Sequence, residues 1–516
     1  MDATNTEIIY GPPGTGKTTR LLEIVETYLK EGIPPESIMF VSFSRRASNE
    51  AVLRAMRKFN LTPERFPWFR TLHSLAFAQL GLKADQVMGP SDYSKIARAL
   101  HLRVTTRWSV DGTINYQGTA SGDKMLSTYA NARARGITVR ALWEQEREPD
   151  ITWANMERVE KTLNDYKKWN RKVDFVDMLL LFADHGAVPN HAVLIVDEAQ
   201  DLSLAQWAMV ERLGARSVKI YIAGDDDQAI YEWAGADSRP LLQLPAKRSV
   251  LRHSYRVPRE IKNLATRILD RIKGRRAVKT WEPVSEGGAI HQVPNYSNLP
   301  LQAGKWLILC RNLYQVERIS IYCYDKGFLF TSQSEGQTTV PPDAITAVNT
   351  WNKLRRGETV QAAEAHTMYG YLLPRTGYLK GSKGTLAKEN PLRVLCAQEL
   401  VDEFGLLMPR LRLWSNALQR MDRETTIRLM ELEARMGVKS KKSELLPTPN
   451  IRIMTIHSAK GTEEENVVLV PDMTPRAYRT FGINPDAEHR VWYVAVTRAK
   501  KSLWLLQPQT AHYYPI

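Results

Sequence analysis

Only three cysteines occur among 516 residues, Cys310, Cys323 and Cys396, and none forms a C-x-x-C pair. A disulfide framework is excluded and a thiolate zinc site disfavoured, so the three read as reduced core thiols of a cytoplasmic protein. The first residues, Met1-Asp2-Ala3-Thr4-Asn5, lack the basic start and apolar run of a signal peptide. No apolar run is long enough to span a membrane, and no repeat of solenoid period is visible. Acidic residues are in deficit: 56 Asp+Glu face 71 Lys+Arg, a net charge of +15. That balance favours a polyanionic partner, most simply nucleic acid, although a basic soluble surface shows it too. The 43% hydrophobic and 25% charged fractions are those of a globular protein, and the length implies two to four domains.

Against these absences stands one complete phosphate loop, Gly11-Pro12-Pro13-Gly14-Thr15-Gly16-Lys17-Thr18, followed by Thr19. An apolar strand candidate, Glu7 to Tyr10, enters it, and an amphipathic helix from Thr18 to Lys30 leaves it. Backbone N–H groups of Gly14, Gly16 and Lys17 can cradle phosphate oxygens at the positive end of that helix. Lys17 can reach the β- and γ-phosphates of ATP, and the Thr18 hydroxyl can hold Mg²⁺. Val193-Leu194-Ile195-Val196 runs into Asp197-Glu198-Ala199-Gln200. Asp197, directly after a strand, can meet Mg²⁺, and Glu198 can orient and deprotonate the attacking water. Tyr221-Ile222-Ala223-Gly224 runs into Asp225-Asp226-Asp227-Gln228, where Gln228 can sense the γ-phosphate. Arg256 and Arg498 can supply positive charge to the transition state. Taken alone, each arginine is more often a surface residue.

Nearly continuous apolar strands alternating with helices argue for buried parallel sheets and an α/β fold. The limits expected are a motor domain at 1–81 and 166–245, interrupted by a helical insertion at 82–165. A second α/β region is expected at 246–331 and 447–516, interrupted at 332–446. Asp111 to Asp123, Ser332 to Asp343 and Ser443 to Asn450 read as polar loops or linkers, and Glu399 to Met436 as helical. Arg256 and Arg498 then both fall in the second region, across from the glycine loop.

The order of motifs resembles superfamily 1A helicases of the UvrD/Rep type, from Gly11 to Lys500. Val41-Ser42-Phe43-Ser44-Arg45-Arg46-Ala47 is similar to T-F-T-N-K-A-A, Thr71-Leu72-His73-Ser74 to T-F-H-S, and Asp174-Phe175-Val176-Asp177-Met178-Leu179 to D-F-D-D-L-L. Gly224 to Ala236, Met454 to Gly461 and Tyr493 to Lys500 match further motifs of the family. The resemblance implies two RecA-like motor domains, each with an accessory insertion. It implies Mg²⁺-dependent ATP hydrolysis between them that drives 3′→5′ movement on single-stranded DNA. By the same resemblance Tyr255 would stack on adenine and Glu463 would contact the ribose. Phe43, Tyr231 and Trp233 would hold or separate bases, with His73 near the strand; core packing is the competing role for Phe43 and Tyr231.

Departures from the family are local. Ala234 stands where the family has Arg, Thr462 and Glu464 where it has Leu and Phe, and Ser254 where it has Asn. With ten residues before Gly11, the family's upstream glutamine motif for adenine is expected to be missing, and the second insertion looks short for the family. A compact bacteriophage or mobile-element member, working in the host cytoplasm, would suit these features. The partners implied are single-stranded DNA and its junctions with duplex, together with replication or repair proteins; a monomer is expected. A translocase that strips bound proteins without unwinding, or a recruitment module with a weak motor, would carry the same motifs. Lys167-Lys168-Trp169-Asn170-Arg171-Lys172, Arg271 to Arg276 and Lys439 to Lys442 are equally readable as DNA-backbone grips and as solvated ends.

Overall fold

The computed structural model describes residues 4–43, 45–59, 61–105, 120–148, 150–333, 340–407, 413–437, 446 and 449–516. Ser44, residues 111–119, 334–339, Lys439 to Lys442 and most of Ser443 to Asn450 lie outside the described residues, as do the side chains of Arg45, Arg46 and Ala47. By its internal contacts the chain divides into two units, Met1–Gly287 with Thr480–Thr497, and Gly288–Arg479 with Arg498–Ile516.

The first unit is built on strands β1 (Thr6–Tyr10), β2 (Ile38–Ser42), β3 (Phe69–Thr71), β4 (Val193–Asp197), β5 (Lys219–Gly224) and β6 (Lys247–Val250). They form one sheet in the order β3-β2-β4-β5-β1-β6, with every pairing parallel. The strands are apolar at consecutive positions because both faces are covered. Ile8, Met39, Val41, Leu194 and Ile220 pack on one face with helices Leu72–Gln79, Phe175–His185 and Leu204–Gly214. Their neighbours Ile9, Ile38, Phe40, Val193 and Ile195 pack on the other with helices Lys17–Lys30 and Arg45–Phe59. Ile195 is fully buried, and its truncation to alanine would cost roughly 2–5 kcal/mol.

β6 lies at the sheet edge against β1, so the chain does not leave the first unit near 246. Its sequence, Lys247-Arg248-Ser249-Val250, is polar because an edge strand is half solvated, and it carries no apolar run to betray it. β7 (His253–Ser254) then pairs with β8 (Glu282–Pro283). Helix Arg259–Leu269 buries Ile261, Leu264, Ala265 and Ile268, and it packs with helix Pro485–Val496. Arg256 therefore belongs to the unit that carries the phosphate loop, not to the second one.

Between β3 and β4 the helices Pro90–Ala99, Ser121–Ala134, Val139–Gln145 and Trp153–Asn170 bury a core of their own, including Met125, Tyr129, Leu142 and Met156. The second unit repeats the plan. β9 (Ala289–Val293), β10 (Trp306–Cys310), β11 (Phe330–Ser332), β14 (Ile451–Thr455), β15 (Glu464–Val470) and β16 (Ala499–Leu506) form a parallel sheet in the order β11-β14-β10-β15-β16-β9. Between β11 and β14 lies another helical body, with helices Pro342–Arg355 and Ala362–Tyr371 and the two-stranded pair β12 (Val360–Gln361) and β13 (Val394–Leu395). Trp351, Tyr369 and Leu400 sit in its separate core. The fold class is thus α/β, with two RecA-like parallel sheets, each interrupted by a largely helical insertion. The stretch from Glu399 to Met436 is broken into helices Ala397–Asp402, Trp414–Ala417 and Arg423–Gly437. Cys310, Cys323 and Cys396 are free thiols, and burial pushes Cys323 up to about 12. Among the described residues no helix is long and apolar enough to cross a membrane.

Candidate nucleotide and DNA site

The C-terminal end of β1 opens into the glycine loop. Gly14 and Gly16 have φ of 73° and 82°, a left-handed conformation that disfavours a side chain. A Cβ on Gly14 would also lie 2.3 Å from Arg256 Cβ. Gly16 caps helix Lys17–Lys30, so the loop's N–H groups converge at a helix N-terminus. Thr15 Oγ1 donates to the Pro12 carbonyl at 2.8 Å and steadies the turn. Lys17 Nζ donates to the Gly11 carbonyl at 3.0 Å and lies 3.7 Å from Glu198 Oε1. Thr19 follows Thr18 on the helix.

Thr18 Oγ1 donates to Asp197 Oδ2 at 3.2 Å. Asp197 ends β4 and is buried; burial, then the neighbouring Glu198 carboxylate, push it up to about 7, with Lys17 acting in the other direction. These are two hard oxygen donors, a hydroxyl in the first turn of a helix and a buried carboxylate at the end of a strand. They fit Mg²⁺, which would complete its shell with phosphate oxygens and water. Glu198 itself has a left-handed φ of 55°, unusual for a side-chain-bearing residue, which turns the chain sharply after the strand.

Gln200 joins this acid to the next motif. It is fully buried; its Nε2 donates to Glu198 Oε2 at 2.6 Å, and its Oε1 accepts from the Asp225 N–H at 2.9 Å. Gln228 Nε2 in turn donates to Asp225 Oδ2 at 2.6 Å. Glu198, Gln200, Asp225 and Gln228 thus form one hydrogen-bonded run within the first unit. Gln200 is visible in the sequence only as the last letter of Asp197-Glu198-Ala199-Gln200, and its partner across the sheet is not visible at all.

Tyr255 and Arg256 stand at the loop. The Tyr255 N–H donates to the Gly14 carbonyl at 2.9 Å, and Tyr255 is 75% exposed. Ser254, the family's asparagine position, donates its hydroxyl to the Pro13 carbonyl at 2.7 Å and accepts from the Val257 N–H. Arg498 and Glu463 belong to the second unit. There Arg498 is buried, donates to the Thr462 carbonyl at 3.4 Å, and accepts from the Glu464 N–H through its own carbonyl. Glu463 pairs with Lys500 at 2.7 Å.

The aromatic residues gather in the first unit. Phe43 stacks on Tyr231 at 5.4 Å between ring centroids, and Trp233 lies 6.4 Å from Tyr231. Asn131 Nδ2 and Arg135, from the first helical insertion, hold the carbonyls of Trp233 and Glu232. His73 meets Phe175 edge-on at 5.7 Å, on the helix that Asp174 caps.

The basic run from Lys167 to Lys172 is not one patch. The side chain of Lys167 is 9% exposed and its Nζ lies 2.7 Å from Asp174 and 2.8 Å from Asp177, while Arg133 bonds the same two carboxylates. Lys172 pairs with Asp92. Lys168, Trp169, Asn170 and Arg171 are the members that face solvent. A lysine within a run of basic residues reads as surface, but here the two carboxylates of Asp174-x-x-Asp177 draw it inward.

Residues 2–248 match the UvrD/REP helicase N-terminal domain and residues 407–509 the UvrD-like helicase C-terminal domain. DNA helicase II of Escherichia coli is 25% identical over 299 residues, 55% of this chain and 41% of that protein. The ATP-dependent DNA helicase PcrA of Leuconostoc citreum is 25% identical over 305 residues, 55% of this chain and 39% of that protein. That of Staphylococcus aureus is 22% identical over 302 residues. The chain spans about two-fifths of the length of the curated relatives it matches. Among solved structures, the helicase nonstructural protein 10 of an arterivirus overlaps with a TM-score of 0.33 at 13% identity, covering 98% of this chain and 60% of that one, too loose an overlap to bear on the fold. Matches at both ends of the chain, carried on two parallel sheets and a shared set of motifs, place this chain in the UvrD/Rep-type superfamily 1A helicase family.

Proposed function

We propose that the chain is an ATP-dependent DNA helicase that moves 3′→5′ on single-stranded DNA and opens duplex at junctions. The observation that carries this is the run Glu198–Gln200–Asp225–Gln228, which continues in sequence into Tyr231 and Trp233. It ties the residues suited to phosphate chemistry to those suited to bases. The loop N–H groups of Gly14, Gly16 and Lys17 bind phosphate oxygens, and Lys17 exchanges Gly11 and Glu198 for the β- and γ-phosphates. Mg²⁺ on Thr18 and Asp197 would supply neutralising charge to those phosphates. Glu198 orients the attacking water and takes its proton, Gln228 registers the γ-phosphate, and Arg256 beside Gly14 adds positive charge.

Tyr255 offers its exposed ring to adenine. For Arg498 and Glu463, in the second unit, the support is the motif match. Phe43, Tyr231 and Trp233 stack on bases without reading sequence, with His73 near the strand. Residues 82–165 and 332–446 are then accessory insertions. A cytoplasmic monomer that meets single-stranded DNA, junctions, and replication or repair proteins fits the basic charge. The direction of movement rests on family resemblance.

Glu198→Gln tests the chemistry. Hydrolysis should fall about 10²–10⁴-fold while nucleotide affinity is kept; retained turnover would remove Glu198 from the role of base.

A further inference from the structure

Asp225, Asp226 and Asp227 present three consecutive carboxylates whose side chains are 0%, 1% and 3% exposed. Buried carboxylates at this density need specific cations. Lys279, itself 3% exposed, places Nζ 2.5 Å from Asp225 Oδ1, 2.5 Å from Asp226 Oδ1 and 2.8 Å from Asp227 Oδ2. Arg276 adds a two-pronged contact to Asp227, and the Ala277 N–H donates to Asp226 Oδ2 at 3.0 Å. From helix Pro485–Val496, Arg490 Nε donates to the Asp226 carbonyl at 3.1 Å. Lys279 Nζ also lies 5.8 Å from the ring of Tyr10, the last residue of the strand that enters the phosphate loop.

Asp225 is the node of this cluster. Its Oδ1 accepts from Lys279 and from the Asp227 N–H, and its Oδ2 accepts from the Gln228 amide. Its own N–H donates to Gln200, which holds Glu198. Without Lys279 the buried Asp225 carboxylate keeps no cation among the described residues. It must then protonate or move, and either change alters the acceptor that orients Gln228.

We propose that Lys279 is a positioning residue for ATP hydrolysis: it pins Asp225 and, through it, fixes both the Gln228 amide and the Gln200–Glu198 pair. This rests on the ATP-hydrolysing function proposed above. No signature in the motifs marks Lys279, which lies in the connecting segment between helix Arg259–Leu269 and β8.

The test uses the full chain with Lys279→Met, and with Lys279→Met/Asp226→Asn, which removes one charge of each sign so that the cluster stays balanced. Affinity for a fluorescent ATP analogue and turnover stimulated by oligo-dT are both measured. We expect the balanced variant to bind the analogue within about twofold of wild type while its kcat falls roughly 10²-fold, the scale of a small misplacement of catalytic groups. Adding Gln228→Ala should lower kcat in the wild type but lower it no further in the Lys279 variants, because the amide is already misplaced. Turnover within about threefold of wild type would overturn the inference. So would independent, multiplying losses from Gln228→Ala, or nucleotide binding lost in parallel with turnover, which would mark Lys279 as scaffold. If those results came with a wild type that turns over ATP, only the role of Lys279 would fall. A wild type that does not hydrolyse ATP would take the proposed function with it.

Discussion

Trp233→Ala isolates the step at which DNA meets the motor. Trp233 is 38% exposed, and the loop around it is held by backbone carbonyls, with Asn131 on Trp233 and Arg135 on Glu232. Truncating the ring leaves both hydrogen bonds in place, so the loop should keep its course and the fold should lose little. What is lost is one stacking surface, worth roughly 1–3 kcal/mol per base. With RT near 0.59 kcal/mol, that is about a 5- to 150-fold weakening of single-stranded DNA. The assay is ATP turnover as a function of oligo-dT concentration, with anisotropy as the independent binding measure. The half-saturating DNA concentration should rise by that factor while turnover without DNA stays at its wild-type value. The dependence of log affinity on log salt should keep its slope, because no phosphate contact has been removed. An equal loss of basal and stimulated turnover, or unchanged DNA affinity, would refute the stacking role.

Further outcomes follow from the charges of the first unit. Asp197, raised to about 7 by burial and by Glu198, must lose its proton to hold a metal. The Mg²⁺-dependent part of nucleotide affinity should therefore weaken about tenfold per unit as pH falls below 7, and Asp197→Asn should abolish that dependence, as read by titrating the analogue with and without Mg²⁺. Because this pKa is raised on folding, the free protein should also lose stability from Asp197 as pH rises from about 4 to 7, a loss thermal unfolding would detect. Arg133→Ala leaves the buried Asp174 with Lys167 as its remaining cationic partner among the described contacts, and should destabilise the first unit by about 3 kcal/mol in urea unfolding.

What the sequence made legible was local. The parallel strands could be read because burial on both faces leaves them apolar at successive positions, as in Ile38 to Val41. The phosphate loop could be read because its glycines, lysine and threonine act together over a few residues. What stayed hidden depends on partners far away in the chain. β6 is polar at the sheet edge, so its pairing with β1 was invisible and the first unit extends to Gly287. Residues 480–497 join that unit through helix packing that no local pattern announces. Lys167 turns inward only because Asp174 and Asp177 await it, and Lys279 neutralises aspartates more than fifty residues earlier in the chain.

The central claim, that this chain turns ATP hydrolysis into directed unwinding, is tested most directly by strand displacement on partial duplexes carrying either a 3′ or a 5′ single-stranded tail. With ATP and Mg²⁺, displacement should occur from the 3′ tail alone and vanish in Glu198→Gln. Displacement from the 5′ tail would contradict the direction. Displacement from neither, with ATP turnover still stimulated by single strands, would contradict unwinding and leave a translocase.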